Sequence, residues 1–323
     1  MLVRKIKTFL LLIKKDKKAL RNSISSNISK SRISHIIPDK MMLKIQYYLA
    51  FNKRLNLREP QTFNEKLQWL KLYNRKDIYS GMVDKFEVRE YIARVIGKEF
   101  LIPILGVWDD YDSIDFEILP EQFVLKCTHD SGSVVICKDK NKFDFIKAKE
   151  KLEKGLNNNL YWHGREWPYK RVKPRIVAEL YLHDTITDDL RDYKFFCFNG
   201  KVKCYKIDFD RFIGHRANYY SIDSTLLPFG EEVCPPDYSR KINPPLNLTE
   251  MISLAEKLSK DIPFLRVDFY EVNNRVYFGE LTFFPASGFG PFTEEKWDYE
   301  LGDWIELPKK YDSFLYTLNR SRN

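Results

Sequence analysis

The chain has 323 residues, of which 44% are hydrophobic, 31% charged and 15% aromatic, and it carries a formal net charge of +9. That balance excludes a disordered or membrane-embedded chain, allows two or three lobes around a large core, and favours anionic partners such as nucleotides, nucleic acid, anionic lipid or acidic polysaccharide. The five cysteines lack CxxC spacing and the five histidines are scattered, so a disulfide framework, a zinc site and a histidine-held metal are not expected, and a reducing cytoplasm fits best.

Residues 1–20 contain one apolar run, Phe9-Leu10-Leu11-Leu12-Ile13, set among lysines. The run is too short to span a membrane, and no small-residue cleavage site follows it. The segment reads as a basic helix suited to an anionic membrane surface, at the inner face of the membrane, or else as a helix packed on the main fold or a loose tail. Serine and asparagine over 22–34 read as a linker, and 41–51 as a helix. Thr62 and Glu65 have capping-box spacing ahead of Leu67, Trp69, Leu70 and Leu72, a strong helix start. A further helical pattern runs from Val83 to Gly97, with Asp84 as its cap.

Phe123-Val124-Leu125-Lys126-Cys127-Thr128 and Val134-Val135-Ile136-Cys137-Lys138 read as strands around His129-Asp130-Ser131-Gly132-Ser133. Strand, small-residue turn and strand is the layout of a flap whose N–H groups can cover phosphates, with Lys126 as the point charge beneath. A lysine inside an apolar strand needs a partner. A charged helix over 144–155 leads to an aromatic and basic connection over 157–174, which suits sugar or nucleotide stacking and equally a packed surface loop.

A strand over 175–182 contains Glu179 and Leu182, and two strands turning at Asn199-Gly200 form a clear hairpin begun by Asp192-Tyr193-Lys194. An amphipathic helix over 249–261, capped by Thr249, precedes a second hairpin. There Leu265-Arg266-Val267-Asp268-Phe269-Tyr270 turns at Asn273-Asn274 into Val276-Tyr277-Phe278-Gly279-Glu280-Leu281-Thr282. Asp268 and Glu280 lie mid-strand, where an ionised carboxylate is costly without a cation. Carboxylates on paired strands can hold Mg²⁺ from one face, and the alternative is that Asp268 simply pairs with Arg266. The small-residue turn Pro285-Ala286-Ser287-Gly288 follows, where a substrate could approach the backbone. After Phe292 no further element is expected.

These pieces resemble the ATP-grasp superfamily, and more closely its TupA-like branch associated with teichuronopeptide and capsular polysaccharide synthesis. The resemblance covers roughly residues 62–305 and rests on Asp84-Lys85 with Arg89, the Lys126 strand with its flap, Ala178-Glu179-Leu180-Tyr181-Leu182, Asp192-Tyr193-Lys194-Phe195, the Arg266-Val267-Asp268 strand, and Gly279-Glu280-Leu281-Thr282 with Pro285-Ala286-Ser287-Gly288. It implies an α+β fold in which two lobes with antiparallel sheets grip ATP, preceded by a helical N-terminal region. It divides the chain into a basic region over 1–60, a catalytic region over 61–305 with lobes over 84–170 and 171–305, and a polar tail over 306–323.

By the same resemblance, Lys85, Lys126 and the flap Ser131, Gly132 and Ser133 contact phosphates, Glu179 and the Leu182 backbone face adenine, and Asp192 faces ribose. Asp268, Glu280 and Thr282 hold Mg²⁺, with Lys194 and Arg266 as the catalytic cations, Lys194 on phosphate and Arg266 on the acyl phosphate and tetrahedral intermediate. The implied activity is an ADP-forming carboxylate–amine ligase acting on ATP, a carboxylate such as a uronic acid or amino acid, and an amine; nucleic acid is not an implied partner.

Two departures stand out. Thr282 replaces the asparagine usual in most of these enzymes, and the N-terminal third lacks alternating strands and helices, so acceptor recognition does not carry over. Two other readings compete: a glycosyltransferase of the same pathway using Asp208-Phe209-Asp210 as its acid-x-acid metal motif, and a basic protein that binds membrane or polysaccharide.

Overall fold

The structure, a computed structural model, describes residue 28 and residues 31–185, 190–210 and 214–309. The basic segment 1–20 and the last residues of the polar tail lie outside them. Among the described residues, a 3-10 turn over Arg32–Ile36 leads into the helices α1 (Asp39–Phe51), α2 (Phe63–Tyr73), α3 (Ile78–Val83) and α4 (Val88–Val95). The capping box that starts α2 is formed as expected, with the Glu65 N–H donating to Thr62 Oγ1 and the Thr62 N–H donating to Glu65 Oε2. Within the helical pattern of 83–97 the α-helix runs from Val88 to Val95, entered through a turn at 84–87. Asp84 is buried against Arg175 and accepts from the Phe86 and Glu87 N–H groups, so it caps the turn before α4 instead of extending α3.

The chain then forms β1 (Ile104–Trp108), β2 (Phe123–Cys127), β3 (Val134–Cys137), α5 (Phe145–Leu156), the short α6 (Leu160–Gly164), a 3-10 turn over Trp167–Arg171, and β4 (Ile176–Leu180). These four strands make an antiparallel sheet in the order β1-β4-β2-β3. Residues 176–180 thus belong with the first sheet. Phe123, Leu125, Cys127, Ile176 and Ala178 face a small core under α5, because alternate residues of a strand share a face.

The second sheet follows, built from β5 (Asp192–Phe198), β6 (Lys201–Phe209), β7 (Arg216–Ser221), β8 (Phe264–Val272) and β9 (Arg275–Thr282), with α7 (Leu248–Leu258) between β7 and β8. It too is antiparallel, in the order β7-β6-β5-β8-β9. Both hairpin turns use left-handed residues, Asn199 and Gly200, then Asn273 and Asn274, which is the conformation a two-residue turn requires. The apolar face buries Phe195, Leu265, Val267 and Phe269 together with Met251, Leu254, Ala255 and Leu258 of α7. Thr249 does not cap α7, because the Glu271 carboxylate accepts from the Asn247 N–H just outside the helix and takes over that end.

One more helix, α8 (Glu295–Asp303), lies in the stretch after Phe292 that carries no local signal, its nine residues set by packing on α2. Asp298 holds the two together by accepting from the Asn64 N–H and side-chain amide, both at 2.9 Å. Burial pushes its carboxyl up to about 6, from an ordinary 3.8. A raised acid keeps its proton in the folded state, so stability is fullest at low pH and falls as pH climbs from about 4 to about 6. Asp298→Asn retains the acceptor without the charge. Its unfolding free energy, measured by urea titration, should fall less than that of wild type across that interval, by up to about 3 kcal/mol.

Candidate functional site

The polar face of the second sheet is assembled by register. Lys206 of β6 lies opposite Lys194 of β5, Lys194 opposite Asp268 of β8, and Asp268 opposite Glu280 of β9. Two residues along the strands, Asp208, Asp192, Arg266 and Thr282 share that face. Glu280 joins it only because β9 carries a bulge at Gly279. The hairpin pairs Phe269 with Phe278 but Asp268 with Glu280, and without the extra residue Glu280 would oppose Val267 and point into the core. A side chain at Gly279 would start 3.0 Å from the Asp268 carbonyl oxygen, which is why the bulge residue is glycine.

Arg266 is the hub. Its Nε and Nη2 each donate at 2.7 Å to the two oxygens of Asp268, and Nη2 also donates at 2.6 Å to Glu280 Oε1, which accepts from Thr282 Oγ1 at 3.1 Å. Asp268 therefore pairs with Arg266, and the same guanidinium draws Glu280 alongside it. Lys194 reaches Asp192, Asp208 at 2.7 Å and Asp268 at 3.7 Å, and Lys206 donates to Glu231 at 3.0 Å. Among the described residues, the carboxylates Asp192, Asp208, Glu231, Asp268 and Glu280 thus meet the cations Lys194, Lys206 and Arg266.

Burial pushes the Asp268 carboxyl up to about 7 against the pull of Arg266 and Lys194. Both its oxygens nevertheless accept from one guanidinium, a geometry only the carboxylate satisfies, so it stands ionised in a place that calls for more positive charge. For Glu280, desolvation is outweighed by Arg266 and then Lys85, which hold it below its ordinary range. With 42% of its side chain exposed, Glu280 is the acid open to a ligand. Asp268, Glu280 and Thr282 form an all-oxygen donor set that fits a hard ion such as Mg²⁺.

On the first sheet, Lys126 and Glu179 meet across β2 and β4 at 2.6 Å. Leu182 joins Ile102 and Val272, with Tyr270 and Tyr277 packed beside them, so the end of β4 leans on the β8–β9 hairpin of the other sheet. Lys85 donates to the Asp130 carbonyl of the flap, and its charge is felt at Glu280. Gly132 has φ +99° and open space around it, while Ser133 is buried with its hydroxyl on Asp130; Ser131 and Gly132 form the exposed tip. His129 anchors the flap's base to the end of α5 through Gly155 O and Asn158 O.

A family model described as TupA-like ATPgrasp matches residues 65–306. The chain belongs to the TupA-like ATP-grasp family. The helices that precede the first strand and the two antiparallel sheets are thus an α+β ATP-grasp fold. Solved structures similar to this TupA-like chain include D-alanine–D-alanine ligase from Bacillus anthracis complexed with ATP (19% identity, 62% of this chain and 54% of that one, TM-score 0.36). The same ligase from Helicobacter pylori (15%, 76% and 69%, 0.39) and phosphoribosylamine–glycine ligase from Thermotoga maritima (13%, 64% and 48%, 0.39) are also similar. The chain spans about half to two thirds of the length of these relatives. Among curated proteins, none matches it.

The expected site residues of this ATP-grasp chain fall into two groups: Asp192, Lys194, Arg266, Asp268, Glu280 and Thr282 on the second sheet, and Lys85, Lys126, Ser131, Gly132, Ser133, Glu179 and Leu182 on or beside the first. The sequence did not single out Lys206 and Glu231, although Lys206, a lysine in an apolar strand, carries the same signal as Lys126 and Lys194. Asp208 lies on Lys194 and Asp210 on Arg240, so the acid-x-acid pair does not converge. Asp208, His215 and Cys234 bring three donor atoms within 4.8 Å, but Lys194 and Lys206 already crowd that acid with positive charge.

Proposed function

We propose that this protein is an ATP-dependent, ADP-forming carboxylate–amine ligase of surface or capsular polysaccharide synthesis. The observation that carries the reading is the convergence of Asp268 and Glu280 on Arg266 beside Lys194 of the same sheet, with the charge of Lys85, which donates to the flap, acting on Glu280. In this reading Asp268, Glu280 and Thr282 hold Mg²⁺, which when bound neutralises phosphate charge and polarises the transferred group. Lys85, Lys126 and Lys194 bind phosphate oxygens, and the exposed tip of the flap, Ser131 and Gly132, closes over them with Ser133 as its buried hinge. Glu179 and the Leu182 backbone orient adenine, and Asp192 the ribose.

Arg266 then stabilises charge that develops as the carboxylate takes up phosphate and as the amine attacks the acyl phosphate. Fixed cations matter more to such steps than a base does. Thr282, a neutral and shorter ligand than asparagine, completes the donor set through water. The seven basic residues against one acid in positions 1–20 favour work in the cytoplasm at an anionic membrane face, where lipid-linked saccharide is met.

The test is to incubate the protein with Mg-ATP, candidate uronic acids or amino acids, and amines, and to follow ADP. ADP that appears only with both a carboxylate and an amine supports the ligase. Release of a nucleoside diphosphate from a nucleotide sugar, without ATP, would contradict it.

A further inference from the structure

The connection over 157–174, conspicuous in sequence for its aromatics and cations, has no role in the nucleotide site described above. Its residue Glu166, between α6 and the Trp167–Arg171 turn, is only 9% exposed. Glu166 Oε1 accepts from Ser287 Oγ at 2.5 Å, while its second oxygen has no hydrogen bond among the described residues and is not sealed from solvent. A half-used carboxylate in such a place calls for a donor.

Ser287 stands in a strained turn. Ala286, Ser287 and Gly288 are all left-handed, with φ of 47°, 53° and 61°, and for the two non-glycine residues this costs about 1–2 kcal/mol each. Side chains of α2 hold the turn there: Gln68 Nε2 donates to Gly288 O at 2.6 Å, and Lys71 Nζ donates to Ser287 O and Gly164 O at 2.6 Å and to Gln68 Oε1 at 2.9 Å. Those three acceptors use all three ammonium hydrogens of Lys71, so it does not complete Glu166. At Gly164 a Cβ would lie 2.4 Å from Ser287, so only glycine lets the connection rest against the turn.

The turn begins three residues after Thr282, and the Glu166–Ser287 hydrogen bond ties the connection to it. Burial raises the cost of the Glu166 charge against the pull of Lys71 and Arg266, with Glu280 adding to that cost, so a cation at its free oxygen would offset the burial. The half-buried Tyr169 feels the charges of Glu166, Glu280, Arg266 and the flap residue Asp130.

We propose that Glu166 and the left-handed turn Ala286–Gly288 form the acceptor pocket, in which the free Glu166 oxygen takes the ammonium group of a primary amine next to Arg266 and Glu280. The inference rests on the ligase reading and assigns its second substrate. An anion would be repelled by Glu166, and a metal ion would find only one carboxylate and one hydroxyl there, so a cationic amine is the ligand that suits it.

The experiment uses the full chain with Mg²⁺ and a non-hydrolysable ATP analogue. The probes are the L-amino acids, ethanolamine and glucosamine with their N-acetyl counterparts, followed by saturation-transfer NMR and calorimetry. The expected result is that at least one amine binds about tenfold or more tightly than its N-acetyl form, and that Glu166→Gln removes this preference while analogue affinity stays within about twofold. Should Glu166→Gln lose the analogue through misfolding, Glu166→Asp, which keeps the charge but draws it back by one methylene, is expected to weaken amine binding on its own. Amine affinity unchanged in these variants would overturn the proposal and leave Glu166 a structural partner of Ser287. Binding of the analogue with no amine bound by the wild type would overturn it as well. If the wild type does not bind the analogue at all, it is the nucleotide site that fails.

Discussion

In Glu280→Gln, Mg-dependent ADP formation should fall by about a hundredfold to a thousandfold while the protein stays folded. Glutamine keeps the size of the side chain and an oxygen to accept from Arg266 and Thr282, whose hydrogen bonds to Glu280 are 2.6 and 3.1 Å. What it removes is one of the two anionic ligands proposed for the metal, on an acid with 42% of its side chain exposed. The fold has little reason to respond, because Arg266 remains doubly bonded to Asp268. An ADP-coupled assay and a thermal melt read the two halves of the expectation. A variant with wild-type turnover and an unchanged magnesium requirement would show that Glu280 is an ordinary ion-pair partner.

Arg266→Met should damage both stability and activity. Asp268, with 3% of its side chain exposed, then keeps only Lys194 at 3.7 Å as a cation. Removing one partner of a buried ion pair costs about 3–5 kcal/mol, because the other charge is left desolvated. The pH dependence has a definite sign. Burial already pushes Asp268 upward, and without the guanidinium its folded-state affinity for a proton rises further above that of the unfolded chain. The variant is therefore least destabilised at low pH, where Asp268 is protonated in both states, and loses stability as pH rises through and beyond neutrality. Added Mg²⁺ should recover part of the loss, since it returns positive charge to Asp268 and Glu280. Urea titrations at acid and neutral pH, with and without Mg²⁺, measure this, and a variant as stable as wild type at neutral pH would refute the account of the hub.

Much of the second sheet was legible because its signals are local. Asn199-Gly200 and Asn273-Asn274 fix two-residue turns, and lysines or acids among β-branched and aromatic residues betray a polar face. The register of Glu280 was less so. Counting back from Asn273-Asn274 without a bulge sends Glu280 to the apolar face, and only the close approach at Gly279 shows why it does not go there.

Other parts depend on contacts distant in sequence and leave no local trace. Helix α8 forms on α2 through Asp298 and Asn64, and the Glu166 carboxylate comes to Ser287 from 121 positions away. Lys71 looked like an ordinary residue of an amphipathic helix, yet it is fully buried against the carbonyls of Gly164 and Ser287. The flap was legible as strand, turn and strand, but not the inward rotation of Ser133 onto Asp130.

The claim on which the rest depends is that the two polar sheet faces together hold a metal–nucleotide complex. Calorimetric titration of the full chain with a non-hydrolysable ATP analogue, in Mg²⁺ and again in EDTA, tests it most directly. One analogue should bind per chain, about tenfold or more tightly with Mg²⁺, and the metal-dependent part should vanish in Glu280→Gln and weaken in Lys126→Met. No heat of binding, or an affinity indifferent to Mg²⁺ and to both substitutions, would contradict it.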